Sequence, residues 1–132
     1  MADVTVKRTE DFERTFRGRM LKVRSGLGVS SFGMQVIDLP PNADRYPEHD
    51  HSFDGQEEVY TVLEGSATLL AGGEQYELDP GVFARVGPDE SRRIVTGESP
   101  ATVLVLGGVP GRPFEAVQFT DEGEPDPMAE AP

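Results

Sequence analysis

The chain has 132 residues and a mass of 14.4 kDa, enough for one domain with a core of its own. It contains no cysteine, which excludes disulfides, thiolate metal sites and cysteine nucleophiles, and it has no apolar run of membrane-spanning length. Its 24 acids against 12 bases give a formal charge of −12, so the basic footprint that nucleic-acid binding requires is missing. Five of the acids (Asp121, Glu122, Glu124, Asp126 and Glu130) fall in a C-terminal stretch without Lys or Arg; the remainder carries 19 acids, a balance of −7. The basic residues between Lys7 and Arg24 alternate with Glu10, Asp11 and Glu13 and read as a solvated, mixed-charge face. With no apolar leader at the N-terminus, a cytoplasmic protein that meets neither membrane nor nucleic acid is expected.

In chain order, Thr9 is placed to cap a short helix, with acids in its first turn and Phe12 and Phe16 four apart on one side; Gly18 would stop it. Met20 to Arg24 alternates as a half-exposed strand does. Ser31 to Leu39 reads as a strand that ends at Pro40-Pro41-Asn42. After a polar segment come Glu58 to Leu63 and Ser66 to Ala71. Gly72-Gly73 forms a two-residue hairpin loop leading into Glu74 to Leu78. Asp79-Pro80-Gly81 is a turn, Val82 to Val86 a strand, Gly87-Pro88-Asp89 a turn and Ser91 to Thr96 a strand. Ala101 to Leu106 is almost wholly apolar and is expected to be buried on both faces. About eight short strands with regular turn signals argue for an all-β antiparallel sandwich or barrel. Val109 to Phe119 reads as loop and edge strand, and Thr120 to Pro132 as an acidic, flexible tail.

The two histidines of the chain, His49 and His51, stand two apart. In an extended segment they project to one face. Gln56, Glu57 and Glu58 follow, so two imidazoles and a carboxylate can meet, which is the ligand set of a mononuclear metal site. With both histidines in one pair, no base is left to activate a serine nucleophile.

His-x-His, then Glu58, six residues and Gly65, in the wording Tyr-x-Val-Leu-Glu-Gly, resembles the first motif of the cupin superfamily. Six residues separate His51 from Glu58 where cupins usually have three or four, which implies a loop insertion around Asp54-Gly55 and leaves Gln56 and Glu57 as competitors for the ligand role. The second motif, aligned on Gly81, is degenerate: Arg92 falls where the fourth ligand, a histidine, would be, and Thr96 where an Asn would be. The likeness spans about residues 30 to 107. It implies a cupin-type jelly roll over residues 26–119, preceded by a short helical arm (1–25) and followed by the acidic tail (120–132), and dimerisation by sheet packing.

The resemblance further implies that His49, His51 and Glu58 hold a divalent metal ion, Fe, Mn, Ni or Zn, with Tyr60 beside it on the same strand face. Ligand-binding roles are expected for Arg92, Tyr60 and Gln56. Arg92 cannot itself be a metal ligand, because a guanidinium has donors and no acceptor. Three readings of it are open: it clamps a substrate anion, it pairs with Glu58 and replaces the metal, or it is exposed. Phe83 and Arg85 are expected outside the barrel, and Phe32, Met34 and Tyr76 in core or interface. The resulting expectation is a metal-binding cupin that acts on, or binds, a small anionic organic molecule, as an oxygenase or isomerase. The alternatives are a non-catalytic binding module and a structural protein with a vestigial site.

Overall fold

The period-two alternation of the sequence becomes two antiparallel sheets in this computed structural model, which describes residues 2–129. In chain order the elements are β1 (Arg14–Thr15), β2 (Met20–Leu21), a five-residue helix α1 (Val23–Leu27), β3 (Gly33–Leu39), β4 (Glu57–Gly65), β5 (Ala67–Ala71), β6 (Glu74–Leu78), β7 (Phe83–Val86), β8 (Arg92–Val95) and β9 (Ala101–Gly108). One sheet has the order β1-β2-β3-β9-β4-β7 and the other β6-β5-β8. Little of the described chain is helical, and the two sheets face each other as a jelly roll. Among the described residues no helix is long and apolar enough to cross a membrane.

Register decides which side chains meet. Along β4 and β9, Tyr60 pairs with Val105 and Val62 with Val103, and β3 adds Ile37 opposite Val103. These residues close on Leu69, Leu78, Val86 and Ile94 to make the core. Both hairpin glycines between β5 and β6, Gly72 and Gly73, have positive φ (61° and 75°), the backbone a primed turn needs. β9 is buried on one face only; Thr102, Leu104 and Leu106 on its other face are half-buried, because no second layer covers that side of the larger sheet. Phe83 is exposed, and Arg85 pairs outside the barrel with Glu57 (2.7 Å). Tyr76 and Phe32 are exposed and lie outside the core.

The N-terminal arm differs from the expected helix. A single 3-10 turn covers Thr9–Asp11, with Arg8 at its cap, and the chain then makes the β1–β2 hairpin. The four-residue spacing of Phe12 and Phe16 misleads because each ring has a separate partner. Phe12 packs on Gly26 of α1, where a Cβ would stand 2.5 Å from the ring, while Phe16 packs on Phe119 with centroids 4.8 Å apart. Met20 to Arg24 is likewise a two-residue strand followed by α1, ended by Gly28 at φ 81°.

The acidic tail, as far as the described residues reach, meets the basic arm; residues 130–132 lie outside them. Lys22, almost wholly buried, donates to the carbonyls of Asp121 (2.9 Å) and Glu124 (3.0 Å), and Arg24 pairs with the Asp121 carboxylate. The backbone N–H of Arg17 donates to Asp126 (2.6 Å), and Lys7 lies 3.9 Å from Glu122. Arm and tail each look like solvated charge in the sequence, yet they neutralise one another here.

Gly65 ends β4 at φ 81°, with its Cα turned against the carbonyl of Pro100, which a Cβ would strike. Gly73 has a similar φ and nothing within 4 Å of a Cβ. Gly73→Ala is therefore expected to cost only the left-handed strain, about 1–2 kcal/mol. Gly65→Ala adds overpacking and is expected to cost about 2–5 kcal/mol. Urea unfolding midpoints of the two variants check the ranking.

Candidate metal centre

His49 reaches its position through backbone pairing. Its N–H donates to the Arg92 carbonyl (3.0 Å) and its carbonyl accepts from the Arg92 N–H (2.9 Å), an isolated antiparallel bridge on the free edge of β8. His51 continues the segment, its N–H bound to the Pro88 carbonyl (2.8 Å). This puts both imidazoles over the same end of the barrel as Arg92. From the other sheet, β4 directs Glu58 and Tyr60 inward and Glu57 outward. Cross-strand from Glu58 is Gly107, where a Cβ would stand 2.5 Å from the Gln56 Oε1. A side chain at position 107 would displace the Gln56 amide from its present place.

Ligand atoms of His49, His51 and Glu58 all lie within 4.8 Å of one another. Each imidazole is anchored through Nδ1: His49 to the Pro47 carbonyl (3.0 Å) and His51 to the Asp54 carboxylate (3.0 Å). Both Nε2 atoms are therefore the ones presented to Glu58 Oε1, His49 at 3.8 Å and His51 at 3.3 Å. The His51 contact is close but misaligned, a Coulombic pairing that leaves its buried Nε2 without a hydrogen-bond partner. Metal–ligand bonds of about 2.0–2.2 Å set neighbouring donor atoms roughly 3–3.6 Å apart. The donor set and the orphaned nitrogen fit a divalent ion held by three protein ligands, with His51 and Glu58 at that spacing and His49, 3.8 Å from Glu58, slightly wider.

Arg92 is fully buried and does not line the adjoining cavity. Its guanidinium donates to Glu58 Oε1 (2.7 Å) and to the carbonyls of Gly87 (2.5 Å) and Glu90 (3.0 Å). Arg93, the next residue on the strand, faces the other way. Tyr60, also fully buried and away from the cavity wall, donates to the same Glu58 oxygen (2.7 Å). Of the three readings that the sequence leaves open for Arg92, the geometry is that of the partner of Glu58. An exposed Arg92 is ruled out, and a direct clamp on a ligand has no open path.

Burial alone would raise the Glu58 pKa, but pairing with His49, His51 and the Tyr60 hydroxyl outweighs it and holds the carboxyl well below the usual range. Burial likewise disfavours a charged His51, and the carboxylates of Glu58 and then Asp54 overcome it, so the His51 pKa is raised. Burial, with Glu58 nearby, pushes the phenols of Tyr46 and Tyr60 up, so both stay protonated at neutral pH.

A cavity of about 320 Å³ opens onto His49, His51 and Glu58. Its walls are mainly apolar; strands contribute Met20, Ile37 and Val105, and segments between and beyond them contribute Phe16, Tyr46, Pro47, Phe114 and Phe119. Gln56 lines it too, with its amide N–H held by Asp54 (2.7 Å). Asp54 and Tyr46 do not stand out in the sequence as site residues. For Asp54 a signal exists there: an acid three residues after a candidate ligand histidine, inside the same loop.

A family model for the cupin domain (Cupin_2) matches residues 35–107. The chain belongs to the cupin family. Among solved structures, this cupin is similar to a cupin protein from Bacteroides fragilis (24% identity, TM-score 0.68, covering 92% of this chain and 96% of that one). It is also similar to a sugar phosphate isomerase of the cupin superfamily from Silicibacter pomeroyi (24%, 0.65, covering 79% and 75%). KdgF from a Halomonas species is a further neighbour (18%, 0.53, covering 60% and 69%). No curated protein matches by sequence. At these identities the neighbours establish the fold.

A histidine whose folded pKa is raised binds its proton more tightly in the folded protein. The stability this adds is complete below the unfolded value, about pH 6.5, and is lost as pH climbs through the raised value. In chelator-treated protein, the wild type is thus expected to lose more stability than His51→Gln between about pH 6 and pH 9. Urea unfolding across that range measures the difference.

Proposed function

We propose that His49, His51 and Glu58 hold a divalent transition metal at the head of the apolar cavity, and that this centre acts on a small organic molecule with an apolar body and one polar or anionic head. The buried Nε2 of His51, presented by Asp54 and lacking a hydrogen-bond partner, carries the reading. A bound metal would supply a Lewis acid to polarise an oxygen of the molecule, or a seat for dioxygen. The protein's own groups divide the remaining work. Asp54 fixes the tautomer of His51, Tyr60 and Arg92 fix the Glu58 carboxylate, and the apolar walls exclude water around the ligand body.

Charge shapes the ligand class. Arg92 cancels Glu58, so a divalent ion beside Asp54 leaves one net positive charge, which suits a single anionic head. The anion would then meet the metal, and Arg92 serves by neutralising Glu58 from behind. Among the described residues no Lys or Arg lines the cavity, so a sugar phosphate would find no cationic clamp on its walls. The reaction type, isomerase or oxygenase, is decided by which atoms of that ligand lie over the metal.

A metal-free binding cavity is the second reading. It is favoured by one observation: Glu58 Oε1 already accepts from both Arg92 and Tyr60.

Elemental analysis of protein purified without chelator separates the two. About one metal per chain in the wild type, and none in His51→Ala, is expected. Asp54→Asn is expected to weaken metal affinity about 10–100-fold, because the imidazole loses its orienting carboxylate. A wild type that neither carries metal nor takes up Fe(II), Mn(II), Ni(II) or Zn(II) would sink the first reading in favour of the second.

A further inference from the structure

A second cavity, of about 430 Å³, lies on the far side of the wall formed by Phe16, Met20, Ile37, Tyr46 and Pro47. None of His49, His51 or Glu58 lines it. Its interior is apolar, extended by Leu39, Pro40 and Met128, and its polar lining is unlike the rest of the molecule. In a protein with twice as many acids as bases, three arginines, Arg17, Arg19 and Arg45, line this one cavity against a single acid, Asp44. None of the three arginines joins an ion pair among the described residues. Arg17 spends only its Nε, on the Met128 carbonyl (2.9 Å), and its terminal nitrogens make no hydrogen bond among the described residues.

The backbone points to the same place. The non-glycine residues with positive φ among the described residues are Phe16 (52°), Arg17 (56°) and Asn42 (55°), and all three line this cavity. A bulky aromatic in the left-handed region is unfavourable, and such strain persists where the surroundings over-determine it. Here it turns Phe16 into the dividing wall and sets Arg17 at the rim.

We propose that this cavity is a binding site for a small amphipathic acid, its apolar body inside and its oxyanion head on Arg17, Arg19 and Arg45. Guanidinium forks suit planar or multi-oxygen anions, carboxylate and phosphate alike, and the walls select a hydrocarbon body over a sugar. The proposal does not depend on a metal at the histidine centre.

The test is calorimetric titration of the full chain with octanoate, octyl phosphate and octanol, repeated on an Arg19→Gln/Arg45→Gln double variant and on His51→Ala. Both arginines are exposed, so the double variant keeps its fold. One equivalent of an acid is expected to bind saturably, with octanol at least about tenfold weaker. The double variant should lose at least about tenfold in the acid affinity of this equivalent and leave octanol unchanged, and the same equivalent should persist in His51→Ala, which removes only what binds at the histidine centre. Preference for octanoate or for octyl phosphate identifies the head, and either supports the site. Equal affinity for acid and alcohol, absence of saturable binding, or loss in His51→Ala with retention in the double variant would overturn it.

Discussion

A carboxylate withdrawn from water must be paired, and Glu58 meets that demand with Arg92. The groups around Glu58 Oε1 come from different parts of the fold: hydrogen bonds from Tyr60 on its own strand and from Arg92 on β8, and Coulombic contacts from the two imidazoles of the segment bridged to β8. One oxygen thus joins the two sheets at the open end of the barrel. Removing one partner of such a buried pair leaves an uncompensated charge, a loss of about 3–5 kcal/mol in comparable cases. The arginine therefore belongs to the architecture as much as to the site.

That pairing also sets the chemistry. Where a third imidazole would add a fourth ligand, this cupin has a fixed positive charge that a metal must tolerate or that stands in for one. The histidines are held ready in either state, because their Nδ1 atoms are tied by groups independent of Glu58. Asp54 has a double role: it sits in the extra length between His51 and Glu58, and it grips both His51 and Gln56. The insertion brings its own support for the ligand it displaces along the chain.

The strands of the barrel carry the polar centre, while the arm and the C-terminal segment supply much of its cover. Phe16 and Phe119 close against each other beside two cavities, one leading to the histidines and one lined with arginines. Segments outside the matched family region thus supply part of the walls of both cavities.

Strand positions, turn glycines and the shared face of His49, His51 and Glu58 are legible in the chain, because a period of two is a local property that survives without knowledge of partners. The pairing of Arg92 with Glu58 is legible only as one of three alternatives, since choosing among them needs the distance between β4 and β8. The N-terminal arm reads wrongly as a helix because two phenylalanines at helical spacing pack on different neighbours. The tail's docking on Lys22 and Arg24 is invisible for the same reason: charges far apart in the chain look solvated until folding brings their opposites together. The sequence by itself determined a cupin barrel with two imidazoles and a carboxylate at one end. Only the tertiary structure decided which charge answers that carboxylate and which walls surround it, because both depend on contacts between residues distant in sequence.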